Sequence, residues 1–333
     1  MDANIDAAGR DRLLGRKLGG SYRLERLARV TRDRPDLPGA DRGRAGSPRK
    51  VAVEVLRPML ADDVEAKRRF EQMASCFDAI RHDNLLSLLD RGCDGDLDYL
   101  VTEWIEGERL DHRLASDGRL GLAKFVPLAS QILEGVGYAH TRDVILGDLC
   151  PTNIVLAPSL GRGCAVKVVS CGPTRLTDRL RADAGVRVIG TAELAPEQIR
   201  RSARVDLRAD VYGLGMVFYQ MLSGRPPFEA ADLPTLLRRH VHDCPTPLSE
   251  RVAGLPEGLV ELVHDCLEKR PEARPRDANE VMARLNDCAP APRLRRSGGS
   301  GGSEPGEPIV DLALEDRVTP VRFASLFGAR AWL

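Results

Sequence analysis

The sequence predicts an α+β fold of two lobes, a strand-rich first third followed by a helix-rich remainder. Three observations carry this. β-branched and alternating runs bounded by turn residues fill much of residues 22–105. From residue 121 onward the apolar residues recur at helical spacing. Strands and helices do not alternate along the chain, so repeated βαβ units are excluded and two lobes flanking a cleft are expected.

Residues 1–20 are polar and expected to be loose, and a small lobe is expected over 21–106. Tyr22 to Val30 alternates enough for a strand. Residues 31–49 carry three Pro, three Gly and many Arg, which predicts a loop too polar and broken to pack. VAVEVL, Val51 to Leu56, has strand character. Asp62 to Ile80 reads as a helix, and Leu85 to Leu89 and Tyr99 to Ile105 as strands around the turn CDGD. A large lobe is expected over 107–288, with helices at Leu122 to Tyr138, Ala209 to Leu222, Pro234 to His240, Gly258 to Leu267 and Ala278 to Leu285. Residues 289–308 form a Pro/Gly/Ser linker containing GGSGGS, a run also used in engineered linkers, and 309–333 are apolar again.

Composition narrows the function classes. Lys plus Arg equals Asp plus Glu, 49 each, which argues against a nucleic-acid or anionic-membrane partner. The eight cysteines include no CxxC pair, so separate reduced thiols are expected and no metal site. The N-terminus has no apolar signal segment and no run reaches membrane-spanning length, so a cytoplasmic protein is expected.

Five segments stand in one order: YAHTRDVILGDLCPTNIVL, VKVVSCG, GTAELAPEQ, RADVYGLGMVFYQMLSGRPPF and CLEKRPEARP. Together they resemble the catalytic loop, the Asp-Phe-Gly strand, the end of the activation segment, the central large-lobe helix and the late Arg-bearing turn of bacterial serine/threonine protein kinases. The resemblance covers roughly residues 20–288. It implies a protein-kinase-like fold, with a small antiparallel-sheet lobe and a mainly helical large lobe.

The resemblance also implies a phosphate site, and here the sequence departs from it. Phosphoryl transfer needs positioning and positive charge on the phosphates. The three positions of the glycine-rich loop fall near Arg29, Thr31 and Arg34, with no glycine between Ser21 and Pro38. The phosphate-binding lysine is replaced by Glu54. At ~4 Å and an effective dielectric near 20, each unit-charge interaction is about 4 kcal/mol, and the exchange turns attraction into repulsion. Lys50 shares the strand face but sits about 13 Å along it, a poor substitute. The helical glutamate that would pair with the lysine is Met73, and Glu71 would point elsewhere. The metal-binding aspartate is Ser170, a weak ligand for Mg²⁺.

Other family positions are kept. Asp148 occupies the place of the catalytic base and Asn153 that of the metal-binding amide, while the loop's His-Arg pair is Leu146-Gly147 and its lysine is Cys150. Asp148 is read first as a carboxylate held by the loop, at a cleft surface, and second as a base. Thr102, Glu103 and Ile105 match the hinge that meets adenine, and Ala52 and Val155 its roof and floor. Glu197 and Arg274 match a bracing ion pair of the large lobe, and Asp210 an acceptor for catalytic-loop N–H groups.

The expected function is a pseudokinase, a signalling scaffold or allosteric module that binds a protein partner and needs no cofactor. Two alternatives stay open. One is an atypical kinase that rebuilds its phosphate site from Lys50 or the Arg-rich loop and uses ATP and Mg²⁺. The other is a nucleotide-sensing domain without transfer. Residues 309–333 are expected to dock. Thr319-Pro320 can start a helix, and Val321, Phe323, Leu326, Phe327 and Trp332 supply apolar surface.

Overall fold

The computed structural model describes residues 16–24, 37–42, 48–55, 71, 74–95, 97–158, 164–169, 194–200 and 205–289. Arg29, Thr31, Arg34, Met73, Ser170 and the 309–333 tail lie outside the described residues.

The first lobe holds a six-stranded antiparallel sheet in the order β1-β2-β3-β4-β6-β5. Its strands are β1 Lys17–Leu18, β2 Tyr22–Leu24, β3 Leu37–Arg42, β4 Pro48–Val55, β5 Leu88–Asp94 and β6 Leu97–Glu103. Val51, Val53, Val101, Tyr99, Leu97, Tyr22, Leu24 and Leu18 form one buried cluster on this sheet. Residues 74–79 are helical, inside the expected 62–80 span.

Three expectations for this lobe are corrected. Residues 31–49 were expected to be a loop, yet β3 pairs on one side with β2 and on the other with β4, from Leu37↔Val53 to Arg42↔Pro48. A strand flanked on both sides is held by main-chain hydrogen bonds, which do not require apolar periodicity. Residues 16–20 were expected to be loose. Instead Asp94 accepts hydrogen bonds from Arg16 Nη2 at 2.8 Å and from the Gly19 N–H at 2.9 Å, and Leu18 is fully buried. The first of the two hairpin strands also lies later than expected, at Leu88–Asp94, with Leu85 making a lone bridge to Val168.

The second lobe is built on the Leu122–His140 and Arg208–Ser223 helices. The second of these is buried around nearly its whole circumference, as a central helix must be. It ends at Gly224, whose φ of 76° supplies the left-handed cap. The Leu233–His242 helix starts at Asp232, which accepts from the Thr235 N–H, and carries Pro234 in its first turn. The Glu257–Cys266 and Ala278–Cys288 helices close the lobe. Sequence periodicity missed three short helices, Leu110–Asp117, Pro196–Arg200 and Leu248–Arg251, each too brief to show a period.

Between the lobes, β7 Glu108–Arg109, β8 Ile154–Pro158 and β9 Cys164–Val168 form a small antiparallel sheet in that order. Among the described residues no helix is long and apolar enough to cross a membrane.

Candidate functional site

The loop from Leu146 to Asn153 is positioned by one buried carboxylate. Asp210 Oδ2 accepts from the Leu146 N–H at 2.7 Å and Oδ1 from the Gly147 N–H at 2.6 Å. Its Oδ2 also meets His140 Nε2 at 3.0 Å. His140 Nδ1 accepts from the Ala278 N–H at 3.1 Å, so the ring proton sits on Nε2 and is donated to Asp210. Gly147 lies at φ 73°, which glycine takes without a Cβ clash, and in that conformation both consecutive N–H groups point at Asp210. Gln198 Nε2 donates to the Gly147 carbonyl at 3.2 Å from the other side.

Asp148 follows directly. It was expected at a cleft surface, but it is only 3% exposed. Asn153 Nδ2 donates to the Asp148 carbonyl at 2.8 Å from the Pro151–Asn153 turn. Cys150 is fully buried, with Sγ 3.0 Å from Thr152 Oγ1 and 3.9 Å from an Asp148 carboxylate oxygen. The Val169 N–H donates to the Asn153 carbonyl at 2.7 Å, which brings the end of the β9 segment to this loop. Asp148 and Asn153 are therefore neighbours, and Ser170 would follow Val169.

The hinge residues sit where β6 leaves the sheet. Thr102 pairs with Ala52 and Glu103 with Val51, while Glu54 lies opposite Leu100 on the same ladder. Val155, Ile105 and Leu100 pack with Ala74, Phe77, Leu86 and Val169 in one apolar cluster. Val155 and Ile105 are 1% and 4% exposed. Gly107 touches β8 so closely that a Cβ would lie 2.5 Å from the Leu156 carbonyl oxygen, so the hinge cannot take a side chain there without moving.

Two cations near this region already have carboxylate partners. Lys50 Nζ meets Glu106 Oε1 at 3.2 Å at the surface. Lys167 Nζ meets Glu103 Oε1 at 2.7 Å, and the same oxygen accepts from the Ser87 N–H at 2.9 Å. Sequence reasoning missed the Lys167–Glu103 pair. The one available signal was that Lys167 is among only six lysines and lies three residues before Ser170.

In the second lobe, Arg274 and Glu197 form a two-pronged ion pair at 2.7 and 2.9 Å, with both side chains almost wholly buried. Arg274 also donates to the carbonyls of Glu268, Arg208 and Lys269 at 2.6, 2.9 and 3.3 Å.

With this geometry in hand, comparison with known proteins is decisive. The family described as protein kinase domain matches residues 44–284. The chain belongs to the protein kinase domain family. This kinase domain is 30% identical over 240 residues to a probable serine/threonine-protein kinase of Clostridium acetobutylicum, covering 72% of this chain and 36% of the relative. It is 34% identical over 243 residues to the serine/threonine-protein kinase PknB of Mycobacterium leprae, covering 71% of this chain and 38% of that protein. The kinase domain thus spans little more than a third of the length of these two curated relatives. Among solved structures, the PknI kinase domain of Mycobacterium tuberculosis superposes with a TM-score of 0.64 at 22% identity, over 83% of this chain and 98% of that one. At that identity the likeness speaks for the fold.

Proposed function

We propose that this kinase domain acts by binding a protein partner, as a scaffold or allosteric module, with little or no phosphoryl transfer. The observation that carries the reading is Glu54 on β4. It lies opposite Leu100, two residues along the strand from Ala52, where the resemblance requires the lysine that holds the phosphates. An anion there opposes the phosphate charge that catalysis must stabilise.

The neighbouring residues support the same conclusion. The lysines that could stand in, Lys50 and Lys167, are held by Glu106 and Glu103. Releasing Lys167 would leave the largely buried Glu103 carboxylate without its counter-charge, whereas the Lys50–Glu106 pair is exposed and weak. Val155 and Ile105, the positions for adenine, keep their apolar character in a buried cluster, so the departure lies at the phosphate end of the site. Glu54 in place of a cation and Ser170 in place of a carboxylate do not fit the phosphates and metal of Mg-ATP. The atypical-kinase reading rests on Asp148 and Asn153, which remain adjacent. Asp148 is 3% exposed, which favours a carboxylate held by the loop over a base.

The test is thermal melting with and without Mg-ATP, together with a radiolabelled phosphotransfer assay. Ligand at 100-fold above Kd stabilises a fold by about 2.7 kcal/mol, which is visible as a shift of several degrees. The expected result is no shift and no label transfer. A Mg²⁺-dependent shift at micromolar ATP, or brisk labelling of a generic protein substrate, overturns the reading.

A further inference from the structure

A cavity of about 260 Å³ opens on the second lobe, away from the inter-lobe cleft. Pro245, Pro247, Val260 and Leu267 supply its apolar wall, and Cys244, His264, Glu268 and Lys269 its polar groups. Ligand pockets for drug-sized molecules run to about 300–1,000 Å³, so this one suits a single large side chain. Two prolines and a leucine offer flat apolar faces to an aromatic ring. Glu268 at the rim is exposed and supplies an acceptor for an indole N–H.

We propose that the segment 309–333 of the same chain docks here, with Trp332 seated in the cavity. Three observations select this occupant over a separate molecule. The first is where the described chain ends. Cys288 packs against Gly258, at the first turn of the Glu257–Cys266 helix that bears Val260 and His264. At ~1.5 Å per residue along that helix, the exit lies within roughly 15 Å of the cavity.

The second is the length of the connection. About twenty residues of Pro/Gly/Ser-rich sequence separate Ala289 from the apolar segment, and such a linker spans roughly 22–27 Å root-mean-square. The distance to be covered falls inside that reach. A linker of this kind holds its cargo at an effective concentration of order millimolar, so an intrinsic Kd of about 100 µM leaves roughly ten molecules closed for each one open.

The third is charge. Residues 319–333 carry Arg322 and Arg330 and no acidic residue. The helix and turn beside the cavity expose Glu257, Glu261 and Glu268. The apolar cavity and the exposed glutamates beside it thus match residues 319–333, the part of the segment that carries Trp332, while Asp311, Glu315 and Asp316 lie upstream of it. The inference is independent of whether the inter-lobe cleft transfers phosphate.

The chain has two tryptophans, Trp104 and Trp332, so Trp104→Phe makes Trp332 the sole reporter in an otherwise unaltered chain. Docking predicts Trp332 emission shifted to the blue of the denatured chain, with acrylamide quenching reduced roughly tenfold, in line with the closed fraction. In this background, Val260→Arg fills the cavity and returns Trp332 to solvent-like emission. Glu268→Arg, an exposed charge reversal that leaves the core untouched, weakens the protection. Circular dichroism and melting of both variants check that the lobe stays folded.

Solvent-like emission in the parent overturns the proposal. So does a blue shift that survives both variants, which places the segment elsewhere. A blue shift that grows with protein concentration assigns it to a second copy and overturns the proposal equally.

Discussion

Arg274→Ala is expected to be the most damaging single change in the second lobe. The guanidinium is fully buried against Glu197, which is 3% exposed at the side chain. Truncation leaves that carboxylate with no counter-charge and removes the donor from three carbonyls at 2.6, 2.9 and 3.3 Å. Breaking a buried pair by removing one partner costs about 3–5 kcal/mol, and the lost carbonyl contacts favour the upper end. For a lobe of this size each kcal/mol lowers the melting point by roughly 2–4 °C, which gives a fall of roughly 6–20 °C. The charge-stranding cause is separable from simple loss of packing. In the double variant Arg274→Met with Glu197→Leu neither charge remains, so differential scanning fluorimetry should find it more stable than Arg274→Ala alone. A fall of less than about 3 °C for Arg274→Ala refutes the reasoning, since about 1 kcal/mol is what an exposed pair contributes. So does a double variant less stable than both single ones.

Two further outcomes are expected. His240 is buried beneath Phe228 and Tyr212, and burial, with Lys269 nearby, pushes its pKa down from 6.5 to about 3. Between those values the unfolded chain binds a proton that the folded chain refuses. Stability therefore falls as pH drops below 6.5, by about 2 kcal/mol from pH 7 to pH 5 for this residue. Urea titrations at the two pH values should show that His240→Gln flattens the dependence, and an unchanged slope rules the assignment out. Separately, Glu54→Lys with Ser170→Asp should gain a Mg-ATP-dependent rise in melting temperature and little phosphotransfer, because Met73 still leaves the new lysine without its helical partner. No rise at millimolar ATP overturns the assignment of the departure from the phosphate site to Glu54 and Ser170.

The fold was legible wherever a period was long enough to read. The Leu122–His140 helix and the strand around Val51 to Val55 were both foreseen to within a few residues. β3 was not, because Leu37–Arg42 is held by neighbours on both sides and its own side chains carry no signal. Nor was the Lys167–Glu103 pair, whose members are 64 residues apart and meet only once β9 packs beside β6. The positions of Asp210, Glu197 and Arg274 could be picked out through motif order alone. Their geometry suggests why they differ from Glu54 and Ser170. Asp210 satisfies two loop N–H groups and a buried histidine, and Arg274 neutralises a buried carboxylate. Replacing any of these strands a partner inside the lobe and costs folding energy directly. A cation facing phosphate has its main partner on the ligand, and the helical position that would carry its internal carboxylate is Met73 here, so its loss leaves no carboxylate stranded at that position. Shape and phosphate chemistry are thus held by different residues, and a chain can lose the second while the first stays intact.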